Sequence, residues 1–436
     1  MSATADPARS APPGDVSPAV PVPAGGPDAA TLQRYADLAV RVGVHIQPGQ
    51  TLVIRAGIET APFARIIAAR AYEAGAHDVV MDWDDEQFGL LRHRLAPEAA
   101  LGEYPEWKAR ALQDLAESGA AFLSIAANDP DLLRGIDPER IATANRARMA
   151  ALAGWYGRIT GMRTTWTIVS VPTPGWAAKV FPDLPPAERT RRLWDHILQA
   201  VRVDATDPVQ AWRDHLAELG ARAAHMNRAR FRSLHYTGPG TDLRVELPDG
   251  HLWVTSPIAD PRGIPFVPNM PTEEIFTLPD RAGVHGTVAA SMPLNYRGAL
   301  IEGLTLRFEA GRVVAADARG GRETLQRLID TDDGSARLGE VALVPHGSAV
   351  SRLGTLFYNT LFDENAASHL ALGRAYPMCL EGGLDLDAEG LQRRGANASL
   401  EHVDFMIGSP ELSVDGLAAG GAVVPVMRRG AWAFSV

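Results

Sequence analysis

Between Leu32 and Pro172 the chain alternates helical stretches with short β-rich runs, and after about Arg230 that alternation stops. LQRYADLAVRVGV carries apolar residues at helical spacing and is followed by the strand-like run TLVIR, Thr51 to Arg55. APFARIIAARAYEAGA reads as helix and DVVMDW, Asp78 to Trp83, as a second strand. WKARALQDLAESGA, then AFLSIAA (Ala121 to Ala127), continue the pattern. DPERIATANRARMAALAGW is a long helix opened by Asp–Pro, and TTWTIVSVP a fourth strand. Strands separated by helices predict a parallel sheet covered by helices.

Beyond Pro-rich FPDLPPAERT come two helical runs, RRLWDHILQAVRV and PVQAWRDHLAELGARAAHMNRA, the second long enough to bridge two domains. After them, RSLHYTG, TDLRVELPDGHLWVTS, GVHGTVAAS and LTLRFEAGRVVAADA are short alternating runs, with PDG and EAG as hairpin-type turns. The expected fold is therefore an α/β N-terminal domain with a mainly parallel sheet, residues 31–230. An α+β C-terminal domain rich in antiparallel strands follows, residues 231–436. Residues 1–30 are dominated by Pro, Ala, Gly and Ser, and lack the apolar surface to offset their ordering entropy; they are expected to be a disordered tail.

The net charge of -10 argues against a nucleic acid partner. No apolar run approaches the roughly 18 residues of a membrane span, and no secretory signal opens the chain. One cysteine, Cys379, excludes an intramolecular disulfide framework and fits a cytoplasmic location. The zincin helix, the nucleophile elbow and the Gly-rich phosphate turn are absent.

Six metal-capable side chains crowd the C-terminal half: Glu274, Glu340, Glu364, His369, His402 and Asp404. They exceed the needs of one tetrahedral zinc and suit a pair of divalent ions with positions open for water and substrate, hence hydrolysis. Each also has a plainer reading. His402 and Asp404 share a face if their segment is a strand, but that pattern also fits the exposed face of an edge strand. Glu364 and His369 converge only if one precedes a helix; ASHLALGRAY looks helical, which places Glu364 at or before its start. A carboxylate there also simply complements a helix dipole. Glu340 enters an apolar strand and needs a partner, an ion or Arg337. Adjacent Glu273 and Glu274 face opposite sides of an extended chain, so at most one belongs. Ten further histidines stand outside this group.

NMPTEEIFTLPDR, LGEVALVP, LFDENAASHLALGRAYP and HVDFMIGS resemble the corresponding segments of the M29 metallopeptidases, a family of thermophilic aminopeptidases. The likeness runs from about residue 32 to the C-terminus and is densest in those four segments. It implies a two-domain homodimer enclosing its active sites, peptide substrates with a free N-terminus, and two divalent ions per subunit. Carboxylate and imidazole ligands suit Zn, Co, Mn and, less well, Mg. The resemblance further implies that the six residues above are the ligands, that Glu274 is chosen over Glu273, and that Tyr376 is an active-site residue. Glu340 is the expected bridge between ions holding a hydroxide, and Tyr376 the expected donor to the oxyanion. Another dinuclear amide or ester hydrolase, or a non-catalytic peptide- or metal-binding relative, would share most of these features.

Overall fold

A computed structural model of the chain describes residues 25–296 and 298–436, so residues 1–24 of the expected tail lie outside the described residues. The first helix, Ala29–Leu38, starts behind Asp28, whose carboxylate accepts from the Thr31 amide at 2.7 Å and caps the open helix end.

The N-terminal half forms the expected parallel sheet: β1 (Thr51–Gly57), β2 (Asp78–Asp84), β3 (Ala121–Ala126) and β4 (Trp166–Ser170), in the order β2-β1-β3-β4. Helices cover both faces, so Leu52, Val53 and Ile54 are all fully buried although they point alternately to opposite sides. The helix expected from DPERIATANRARMAALAGW breaks at Leu152 into Pro138–Ala151 and Ala153–Thr160. The long helix Pro208–Ala229 does bridge: Trp212 packs in the N-terminal core, whereas Leu219, Ala223 and Met226 pack in the C-terminal one.

The C-terminal half is antiparallel-rich. An eight-stranded sheet runs from the edge strand Arg312–Asp317 to Ala431–Trp432, and a separate four-stranded sheet has the order His402–Met406, His369–Gly373, Leu338–Leu343, Ile275–Thr277. EAG is the tight hairpin expected, with Ala310 and Gly311 both at positive φ between Thr305–Glu309 and Arg312–Asp317. The PDG turn is a correction. Gly250 does turn the chain at φ +76°, but the segment leaving it bridges Leu380 through His251 and does not pair back along Thr241–Glu246. That strand already has both edges occupied, by Ser233–Gly238 and Val284–Ala289.

ASHLALGRAY is also not helical. A helix precedes it, Thr360–Ala366, capped by Asn359, and Ala367 is extended. Residues His369–Gly373 then form a strand with neighbours on both sides, and this two-sided pairing overrides the helix preference of Ala and Leu. Glu364 thus lies within a helix and His369 opens a strand.

The two halves are stitched close to the metal-capable residues. Ile168 of β4 donates its amide to Pro268 O at 2.7 Å and accepts from the Met270 amide at 3.0 Å, four residues before Glu274. Beside Glu340, the register of Leu338–Leu343 shifts at Gly339. A Cβ at Gly339 would sit 2.2 Å from Gly373 O, so only glycine permits this approach. Gly339→Ala is expected to cost about 1–3 kcal/mol, read as a lower denaturant midpoint at unchanged slope; an unchanged midpoint contradicts the packing.

Candidate metal centre

The four-stranded sheet brings four of the six candidate ligands to one face by register alone. Glu340, Ala371 and Asp404 pair across three adjacent strands, forming a single row. His369 lies two residues before Ala371 and therefore points to the same face, and His402 lies two before Asp404. Ala371 is thus a small floor ringed by two carboxylates and two imidazoles.

Glu274 and Glu364 approach from outside that row. Glu274 Oε2 lies 3.1 Å from His369 Nε2, and Glu340 Oε1 lies 3.5 Å from the same nitrogen. The other oxygen of Glu340 faces the second imidazole: Oε2 is 3.6 Å from His402 Nε2, which is 3.4 Å from Asp404 Oδ1. Two groups result, Glu274–Glu340–His369 and Glu340–His402–Asp404, each with ligand atoms within 4.8 Å of one another. Glu340 belongs to both. Glu364, half-buried, lines the same cavity but belongs to neither group, and Tyr376 lines it too, its ring centroid 4.8 Å from that of His402.

Glu273 turns away as the alternation of an extended chain requires. Its carboxylate meets Arg202 at 2.7 Å, and its amide donates to Asn365 Oδ1 at 2.7 Å. Arg337, the other partner considered for Glu340, pairs with Asp333 instead.

The donor set fits divalent cations. Nδ1 of His369 lies 3.1 Å from Ala367 O, and Nδ1 of His402 lies 2.7 Å from Arg374 O. If each Nδ1 carries the proton, each Nε2 presents a lone pair to the carboxylates, an arrangement that a cation between them would satisfy. Glu274 Oε2 and Asp404 Oδ1 are buried with no aligned hydrogen-bond donor. Four carboxylates with two neutral imidazoles carry four negative charges, the sum that two divalent ions neutralise.

Without ions the cluster holds protons instead. Burial pushes Glu340 up, and it pushes Glu364 well up with help from the charges of Asp404 and Glu274. Burial alone would lower His369 and His402, but neighbouring carboxylates win; they hold His369 well above its usual value and lift His402 to about 9. Asp404 is held low against its burial by the His402 charge. Burial, then the Glu340 charge, keeps the Tyr376 phenol protonated far above neutrality.

Around the cluster lies a cavity of ≈ 410 Å³ shared by the two halves. Its far wall is made by residues that no motif flagged, among them Arg55, Phe122, Trp155, Ile159 and Met162. They come from strand, helix and, for Met162, turn positions that read as ordinary core, so the sequence carries no local signal for them.

Comparisons with known proteins identify the family. The family model described as thermophilic metalloprotease (M29) matches residues 28–432. Aminopeptidase 2 of Geobacillus stearothermophilus is 52% identical over 405 residues, 93% of this chain and 98% of that protein. Aminopeptidase T of Thermus aquaticus is 47% identical over 401 residues, 92% of this chain and 98% of its own length. The solved structure of wild-type AmpT from Thermus thermophilus superposes with a TM-score of 0.88 at 44% identity, covering 93% of this chain and 99% of that one.

The charge balance predicts proton release on metal binding. With the His402 pKa near 9, its imidazole is charged at pH 7 and must lose a proton to ligate. Apparent affinity for Zn, Co or Mn should therefore rise with pH up to about 9. Calorimetric titration in buffers of different ionisation enthalpy should show at least one proton released per chain at pH 7; heats independent of buffer would contradict it.

Proposed function

The chain belongs to the thermophilic metalloprotease (M29) family, and from that footing we propose that it is a metal-dependent aminopeptidase releasing N-terminal residues from peptides with two divalent ions. The observation that carries this reading is Glu340, whose two oxygens face two separate ligand groups inside one cavity. Glu274, Glu340, Glu364, His369, His402 and Asp404 would hold the ions, with Glu340 shared between them. When bound, such ions supply an acidified water and Lewis-acid pull on the scissile carbonyl.

The chain's own residues do the remaining work. Backbone carbonyls of Ala367 and Arg374 fix the orientation of the two imidazoles, so their ligating nitrogens are aimed before any ion arrives. The free amine of a peptide, held by an ion or by a site carboxylate, would tie cleavage to the N-terminus. Tyr376, protonated and beside His402, is placed to donate its hydroxyl to the oxygen that gains charge as the carbonyl is attacked. Glu364 would complete the ligand shell, and Glu340 or Glu364 would pass a proton to the leaving amine.

The metal is Zn, Co, Mn or Mg within this reading. A homodimer and a cytoplasmic location belong to the same proposal. No helix among the described residues is long and apolar enough to cross a membrane.

The deciding assay compares free and N-acetylated dipeptides with the chelated protein and after each metal is restored. Metal-dependent release of the first residue from free-amine substrates alone is expected; turnover of blocked substrates would point to a different metallohydrolase. Glu340→Gln should lower kcat/KM by more than about a hundredfold, beyond the loss typical of an outer-shell metal partner, while circular dichroism stays unchanged. Near-normal activity in that variant would sink the shared-ligand assignment. Tyr376→Phe should lower kcat by about 100–1,000-fold with KM little altered, the signature of a group acting on the oxyanion.

A further inference from the structure

We propose that the wall of the cavity built by the N-terminal half receives the side chain of the substrate's first residue and selects large apolar and aromatic side chains. The proposal rests on the aminopeptidase reading above.

The wall is organised by the parallel sheet. Val53, Phe122 and Trp166 pair across β1, β3 and β4, and Arg55, Ser124 and Ile168 form the next row on the same face. Against this face the helix Ala153–Thr160 lays Trp155 and Ile159, with Trp155 edge-on to Phe122 at 5.6 Å between centroids. Phe122, Trp155 and Ile159 are all buried, so the wall is stiff and preformed.

Its one charged member is already engaged in an ion pair. The Arg55 guanidinium lies 4.5 Å over the Trp155 ring and bonds to Asp82 at 3.1 Å, and Lys108 holds the other oxygen of Asp82 at 2.9 Å. A charged substrate side chain entering here would lose water, and a cationic one would meet Arg55 with Asp82 already shared by Arg55 and Lys108, whereas an apolar one is accommodated.

The assignment to the first residue follows from covalent geometry. The free amine and the scissile carbonyl are both attached to the first Cα, and both must sit at the carboxylate and imidazole cluster. The first side chain therefore starts within one or two bonds of the cluster and has the apolar wall of the same ≈ 410 Å³ cavity to enter.

The test uses the metal-loaded protein and two peptide series, X-Ala-amide and Ala-X-amide, with X as Phe, Leu, Ala, Lys or Asp. The wild type is expected to favour Phe or Leu over Ala, Lys and Asp at the first position by at least about tenfold in kcat/KM. Trp155→Ala should bring the Phe-to-Ala ratio towards one, mainly through KM, and Trp155→Phe should restore much of it. Thr160→Trp is the second variant, since it narrows the cavity from the end of the helix without removing core, and it should lower the same ratio.

Loss of discrimination only in the second-position series would overturn the assignment, because the wall would then receive the second side chain. An equal drop across all substrates, or a wild type indifferent to the first side chain, would also overturn it. Failure of the underlying reading is visible separately: the wild type would then release no first residue from any peptide under any metal.

Discussion

Four carboxylates gathered on one cavity wall form the constraint around which the C-terminal half is built. Like charges out of water repel each other strongly, and each loses hydration, so such a group persists only with compensation. The chain meets the requirement in two ways. Imidazoles stand between the carboxylates, each anchored by its far nitrogen to a backbone carbonyl. The remaining negative charge is left for protons or cations. The short strand His369–Gly373 sits at the centre of this arrangement. It contributes one imidazole itself, and the residue following it, Arg374, orients the other.

The alternation of elements in the N-terminal half was legible because each strand and helix is held by its own periodicity and buried on matching faces. That the His402 and Asp404 side chains share a face was legible, because a two-residue spacing on a strand has one geometric outcome. The segment around Glu364 and His369 was not. Ala and Leu in ASHLALGRAY favour helix locally, and only the strands pairing on both sides make it extended. The PDG turn failed similarly, since the partner of His251 is Leu380, far along the chain. Trp155, Phe122 and Arg55 are legible as packing residues, but their part in the cavity depends on how two halves meet.

That meeting is more than contact between surfaces. Hydrogen bonds of Ile168 hold the chain at Pro268 and Met270, and Arg202 holds Glu273, so the segment carrying Glu274 is gripped on both sides by the N-terminal half. Asn365 ties the same segment to the helix that carries Glu364. Movement between the halves would therefore displace a metal-capable carboxylate as well as the opposite wall, which makes the cavity a composite whose two sides are set together.

The row through Glu340, Ala371 and Asp404 has a consequence for how the chain reaches its fold. A slip of one residue would turn the metal-capable side chains of the displaced strand to the opposite face. Cations bound by this face would contribute free energy to the aligned sheet alone. Bound metal would therefore act as a proofreader of strand alignment, rewarding the pairing that brings Glu340, Ala371 and Asp404 into one row.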